Sequence, residues 1–252
     1  MEGQEGQRCA HILPHIKPDM HILDVGCGNG STAIFLAQLV PQGQVVGIGH
    51  RRIAIDAASE AARQLIITNT KFLCRGIREL HFPDESFNNV NAYQVLVDLH
   101  GSDQVDGYKE MRKVCETGGI VSTNALEWPS AVVYPLIRGV QESLDLIDLI
   151  CRHHKLDVLV ARARKWARKA GFPKETIEIS GVALHFANPE GTRYWGERMA
   201  KLFEDPDFLA ENVSLGLASE RNLVEMSSGW RKWSANEDAF FSILNSQMIC
   251  KK

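Results

Sequence analysis

Apolar positions in the first half of the chain alternate between two rhythms. Short β-branched runs at His21–Val25, Val45–Ile48 and Lys71–Cys74 are separated by longer stretches, Ser31–Val40 and Ile53–Ile66, whose apolar residues recur at helical spacing. This succession predicts βαβ units and a parallel sheet. Val90–Leu96 and Ile120–Ala125 read as two further strands, with a helix over Gln104–Glu116 between them and Gly118-Gly119 turning the chain back into the sheet. Five strands are then in place by residue 125.

In the second half, Leu156, Leu159, Val160, Ala163, Ala167 and Ala170 mark one face of a helix that Gly171-Phe172-Pro173 ends. Its basic face, Arg162, Arg164, Lys165, Arg168 and Lys169, reads as solvated. Glu175–Ser180 with Ala183–Phe186 predicts a sixth strand kinked at Gly181, and Phe240–Cys250 a last one. Two insertions remain: an irregular stretch after the fifth strand, 128–155, and a helical one after the sixth, 188–237. Both leave the sheet near the end where open α/β sheets bind ligands, so they are expected to roof a substrate pocket within a single domain spanning 1–252. No internal repeat or low-complexity tract interrupts this plan.

Composition narrows the partners. With 252 residues, 28 basic and 31 acidic side chains and a net charge of −3, a general grip on nucleic acid or an anionic membrane is not expected. No apolar run approaches the ~18 residues of a membrane helix, and the polar start Met1-Glu-Gly-Gln-Glu-Gly-Gln-Arg lacks a secretory core, which points to a cytoplasmic protein. The cysteines at 9, 27, 74, 115, 151 and 250 form no C-x-x-C pair and no Cys/His cluster, so neither a metal site nor a disulfide framework is expected. The partner is expected to be a small molecule, and a homodimer is compatible with the pattern.

The chemistry concentrates in Ile22-Leu-Asp24-Val-Gly26-Cys27-Gly28-Asn29-Gly30, a strand, an acid and three alternate glycines directly before a helix. Glycines let the backbone turn tightly and let a ligand lie against bare peptide N–H groups, while Asp24 can accept hydrogen bonds from an amine or hydroxyl. Asp24, Gly26, Cys27, Gly28, Asn29 and Gly30 are therefore the candidate cofactor-binding residues, with Gln94 beside them.

This loop resembles motif I of the class I S-adenosylmethionine (SAM) dependent methyltransferases. Gly43–Ile48 looks like the family's second strand, Phe82-Pro-Asp-Glu-Ser-Phe87 like its FPDxSF run, and Met111-Arg-Lys-Val114 with Gly118-Gly119 like its MxRV…GG segment. The second half, through Trp166–Phe172, Trp195, Trp230, Trp233, Glu237-Asp238 and Phe240-Phe241, is similar to small-molecule methyltransferases of the ubiquinone-biosynthesis type found in fungal and actinobacterial natural-product pathways. The resemblance implies an α/β fold with a seven-stranded Rossmann-like sheet of order 3-2-1-4-5-7-6, strand 7 antiparallel, helical insertions after strands 5 and 6, and a cofactor over Gly26–Gly30.

The chain departs from the family at the nucleoside end of that site. An acid that ends the second strand and receives the ribose hydroxyls is replaced by Gly49, and an acid after the third strand that meets the adenine amine is replaced by Ile77. The N-terminal helical segment that folds over the cofactor in the family is expected to be largely missing. The expectation is a weakened SAM site or none, with Gln94 or a water substituting for the acids, or with Arg51 and Arg52 taking a phosphate beside Gly49.

Candidate catalytic groups follow strands 4 and 5: Tyr93, His100, Asn124 and Glu127, the last as the favoured acid. Asp98, Trp128, His185 and Trp195 are candidate pocket residues, and Trp195, Trp230, Trp233 and Phe203 would suit an apolar lid or a core. The degraded cofactor contacts narrowly favour a cofactor-independent, pericyclase-like cyclase or isomerase of a natural product. SAM-dependent methyl transfer to a secondary metabolite is the alternative, and a non-catalytic binding protein a further one.

Overall fold

The computed structural model describes residues 2–96, 99, 102–153 and 159–252. Seven strands, β1 (His21–Val25), β2 (Gln44–Gly49), β3 (Thr70–Cys74), β4 (Phe87–Tyr93), β5 (Cys115–Tyr134), β6 (Ile177–Phe186) and β7 (Phe240–Lys251), form one sheet of order β3-β2-β1-β4-β5-β7-β6. β1 pairs in parallel with β2 and β4, β2 with β3, and β4 with β5. The order implied by the resemblance is thus the one observed.

Side chains alternate across these strands. Leu23, Val25, Val46 and Ile48 enter one apolar cluster with Val90, Tyr108 and Met111, whereas Ile22 and Val45 enter another with Ile12, Ala33 and Leu36. At β1 and β2 both faces of the sheet are covered, so burial there is continuous over residues 22–25 and 45–48, Asp24 included. The helices on this part of the chain are α1 (Glu2–Cys9), α2 (Ser31–Leu39), α3 (Arg52–Gln64) and α4 (Asp103–Val114).

Three expectations are corrected. β4 begins at Phe87 and ends at Tyr93, because Gln94 takes a left-handed φ of 57° that a strand cannot continue. β5 runs for 20 residues, and the stretch expected to be irregular after it is instead strand up to Tyr134 followed by helix α5 (Arg138–His153). Its periodicity is masked by Ser143, which is fully buried because its hydroxyl donates to the Val140 carbonyl at 2.7 Å and accepts the Trp230 indole N–H at 2.8 Å. A polar residue on the buried stripe hides the stripe from a reading based on apolarity. Finally, the N-terminal residues are not bare: α1 packs Cys9 into the cluster that holds Ile12 and Ile22. Helix α6 (Leu159–Lys169) follows the expected basic amphipathic pattern, although Leu156 lies outside the described residues.

By compactness the chain divides into two units, one of residues 1–125, 159–181 and 246–252, the other of residues 126–158 and 182–245. The second unit holds α5 with α7 (Pro189–Glu204), α8 (Pro206–Ser214) and α9 (Glu220–Ser234). Gly139 and Gly229 let α5 and α9 approach closely, since a Cβ at Gly139 would lie 2.5 Å from the Glu225 carbonyl oxygen. Trp195, Trp230, Trp233 and Phe203 are all buried there, Trp233 donating to the Tyr134 carbonyl at 2.9 Å, so of the two expectations for these residues core packing is the one observed.

Candidate functional site

The glycine loop leaves β1 with φ of 72°, 53° and 81° at Gly26, Gly28 and Gly30, all in the left-handed region where a side chain is strained. The three serve different ends. A Cβ on Gly26 would meet Val95 Cγ2 at 2.3 Å and one on Gly30 would meet the Ala58 methyl at 2.7 Å, so these glycines allow close packing. At Gly28 an added Cβ would meet nothing within 4 Å, and the residue lines a cavity. The Cys27 N–H donates to the Ile48 carbonyl at 2.9 Å and the Gly30 N–H to the Cys27 carbonyl at 2.8 Å, pinning the loop to the end of β2. Cys27 itself is buried, its thiol pushed up to about 12 first by desolvation and then by Asp24, so it is an inert packing group. Asn29 is exposed and accepts from the Ser31 N–H at 3.3 Å within the loop.

Beneath the loop, Asp24 is 1% exposed. Its Oδ1 accepts from Asn91 Nδ2 at 2.9 Å, and Asn91 Oδ1 in turn accepts the Ser122 hydroxyl at 3.1 Å. Its Oδ2 is buried and unpartnered. Desolvation raises the Asp24 pKa from 3.8 to about 7, opposed by the Asn91 hydrogen bond and reinforced by the nearby Glu5 charge.

Glu5 comes from α1, a residue the sequence reading did not single out. It is buried, accepts from the Thr32 hydroxyl at 2.9 Å and pairs with Arg8 at 2.7 Å. The Arg8 guanidinium lies 5.3 Å from the Tyr93 ring centroid, and the Arg8 carbonyl accepts from Asn124 Nδ2 at 3.2 Å. The β4–β5 register sets Tyr93 opposite Asn124, and the Gln94 N–H donates to the Asn124 carbonyl at 3.1 Å. The predicted residues Asp24, Tyr93, Gln94 and Asn124 are therefore gathered on one unit with α1. Asn124 Oδ1 and Gln94 Nε2 are buried and unpartnered, and Gln94 holds its strained φ.

A cavity of about 340 Å³ opens between the loop and the ends of β2, β3 and β4. Gly26, Gly28, Tyr93 and Gln94 line one side, and Gly49, His50, Arg51, Arg75, Ile77 and Arg78 the other. Its described lining contains no carboxylate. Gly49 leaves room, since a Cβ there would meet only Ile55 Cδ1 at 3.4 Å, whereas Ile77 is buried, with its Cδ1 3.0 Å from where a Gly107 Cβ would lie.

These residues fit SAM unevenly. At the loop end, Gly26 and Gly28 line the cavity, and Asp24, outside that lining, lies beneath the loop with one oxygen unpartnered, an arrangement that would suit a cationic methionyl group. The nucleoside end meets arginines and apolar atoms instead of acids.

Among the remaining candidates, Asp98 and His100 lie outside the described residues. Glu127, Trp128, His185 and Trp195 belong to the second unit. Glu127 is buried, while Trp128 and Trp195 meet edge to face at 6.3 Å within an aromatic group that includes Phe241. The Trp195 indole N–H is buried without a partner. His185 is exposed and stacked on Phe240 at 6.0 Å.

A methyltransferase-domain family model matches residues 16–189. An uncharacterized methyltransferase of Schizosaccharomyces pombe is 29% identical over 96% of this chain and 88% of its own length. A protein of Aspergillus luteorubrus named probable methyltransferase ltbC is 26% identical over 100% of this chain and 94% of its own. Among solved structures, the [4+2]-cyclase SpnF shares the fold with a TM-score of 0.55 at 19% identity, over 97% of this chain and 80% of that one. No described helix is long and apolar enough to cross a membrane. With its sheet order, its glycine loop and the family match over most of its length, the chain belongs to the class I SAM-dependent methyltransferase family.

Proposed function

We propose that the chain is a SAM-dependent methyltransferase acting on a small organic molecule of secondary metabolism, with SAM held firmly at its methionyl end and loosely at its nucleoside end. The observation that carries this reading is the buried, unpartnered Asp24 Oδ2 beneath a glycine loop whose Gly26 and Gly28 line a cavity. A buried carboxylate with a single hydrogen bond is costly, and a cation would complete it. The full-length relatives named methyltransferases support the same reading and reverse the order in which the sequence alone ranks it against cyclisation.

When bound, SAM supplies an electrophilic methyl group on a sulfonium. The chain's own part is positioning. The Gly26–Gly30 backbone and Asp24 orient the charged end, the Gln94 amide offers a buried donor, and Tyr93 at the end of β4 and Asn124 opposite it on β5 present polar groups. α1, tied down through Glu5 and Arg8, excludes water from that group.

A second reading, cofactor-independent cyclisation or isomerisation in the same fold, is favoured by one specific feature, the absence of any carboxylate from the described lining of the nucleoside end. Calorimetric titration with SAM and S-adenosylhomocysteine separates the two. Micromolar binding of both is expected. Absence of binding up to millimolar concentrations would overturn methyl transfer and leave the cyclase or a non-catalytic binding role.

A further inference from the structure

The parallel register Gly49↔Cys74 sets the two segments that follow β2 and β3 side by side, and the Arg75 N–H donates to the Gly49 carbonyl at 2.9 Å. Both segments are basic. His50 and Arg51 follow β2, and Arg75 and Arg78 follow β3, all lining the same end of the cavity. Arg75 Nη1 donates to the Leu80 and His81 carbonyls at 3.0 and 3.1 Å, and its guanidinium lies 4.7 Å from the Phe82 ring centroid. These contacts fix its position without neutralising its charge. Among the described residues, neither Arg51 nor Arg75 pairs with a carboxylate, and only Arg78 does, with Asp103 at 3.3 Å.

Arg51 also precedes the first turn of α3, a 13-residue helix with no side-chain cap and no acid in that turn. Its dipole adds positive potential at the same point. Gly49 leaves space among these groups where an acid would otherwise fill it.

We infer that this end of the cavity is a phosphoryl-binding site, in which Arg51, with His50, Arg75 and Arg78 around it, receives a phosphate group in the space left by Gly49. A planar guanidinium is suited to bidentate contact with phosphate oxygens, and one already held by carbonyls is preorganised for it. The phosphoryl part of the inference rests on the arginines alone. SAM carries no phosphate, so a phosphorylated ligand at this end would take the place of its nucleoside; in this respect the inference stands apart from the methyltransferase reading.

The test is calorimetry of the purified protein with adenosine, adenosine 2′,5′-bisphosphate, adenosine 3′,5′-bisphosphate and inorganic phosphate, with SAM titrated separately. At least tenfold tighter binding of a bisphosphate than of adenosine is expected. Arg51→Ala and Arg78→Ala, both at exposed positions, should each cut that advantage severalfold, and Gly49→Asp should abolish it. Inorganic phosphate binding as tightly as the bisphosphates would support the site and assign the group to a free ion or a phosphorylated substrate. Equal affinity for adenosine and both bisphosphates with no phosphate binding would overturn the inference, as would an advantage unchanged in Arg51→Ala and Gly49→Asp. SAM binding without phosphate preference would sink this inference alone. Phosphate preference without SAM binding would sink the methyltransferase reading alone.

Discussion

The Asn91 amide donates to Asp24 Oδ1 at 2.9 Å between residues that face each other across the β1–β4 pair, and leaves Oδ2 without a partner. One hydrogen bond is too little for a carboxylate 1% exposed, so the acid's pKa rises to about 7. Its charge is then set near neutral pH by whatever else approaches it.

That rise makes Asp24 a destabilising group above neutral pH. The folded pKa, about 7, exceeds the ordinary value of 3.8, so between these values the unfolded chain releases a proton that the folded chain keeps. Folding stability from this group is full below about pH 4 and is lost as pH rises through 7. Asp24→Asn, which retains an acceptor for Asn91, should therefore be more stable than the parent at pH 8, by a few kcal/mol at most, and equal to it near pH 4. Thermal melts across that range check this. The same variant should bind SAM at least tenfold more weakly at pH 8, and parent affinity should rise with pH up to about 8.

Glu5 tunes this behaviour from α1. Removing its charge with Glu5→Gln takes one negative neighbour from Asp24, whose pKa should fall. The pH midpoint of SAM binding should move down correspondingly. Glu5→Ala, which also loses the Thr32 bond, should release α1 and speed amide exchange there, measurable by hydrogen exchange with mass spectrometry. An unchanged midpoint in Glu5→Gln would show that the two acids do not sense each other.

The first strands were legible because both faces of the sheet are buried there, leaving short, mostly apolar runs at β1 and β2, and because the glycine loop marks the turn from β1 into α2. The site was legible only in part. Asp24, Tyr93 and Gln94 follow from strand ends, which a sequence shows, and Asn124 from the segment read as the end of the fifth strand, which runs on to Tyr134. Glu5 and Arg8 reach the same place from a short helix whose only apolar side chain is Cys9, and Arg75 does so through a register that only the folded sheet reveals. Ser143 shows the same limit in the second unit, where a polar residue satisfied by Trp230 breaks the stripe that would have announced α5.

The three loop glycines should separate packing from ligand contact. Gly30→Ala places a methyl 2.7 Å from that of Ala58 and 3.0 Å from the Phe72 ring, and adds left-handed strain, so stability should fall by more than ~2 kcal/mol. Gly28→Ala meets nothing and should lose only ~1–2 kcal/mol from its φ, while weakening SAM binding through the methyl over its peptide. Denaturant melts paired with SAM titrations of both variants check the contrast. Equal loss of binding per unit of lost stability would mean that the Gly28 peptide has no special role.

Restoring the family's acids should give opposite results at the two positions. At Gly49 the nearest atom to an added Cβ is Ile55 Cδ1 at 3.4 Å and the residue is only half-buried, so Gly49→Asp should fold as well as the parent. A carboxylate there can accept both ribose hydroxyls, and two such bonds at ~1.5 kcal/mol or more each predict tenfold or greater tightening of SAM binding. Ile77 is 7% exposed and packs in the cluster with Leu96 and Tyr108, so Ile77→Asp exchanges apolar burial for an uncompensated charge and should cost several kcal/mol. Chemical denaturation and SAM calorimetry on the two variants distinguish these outcomes. If Gly49→Asp folds normally and gains no affinity, the nucleoside of SAM does not lie against the end of β2, and the cavity's ligand has to be sought among molecules that bring negative charge to Arg51.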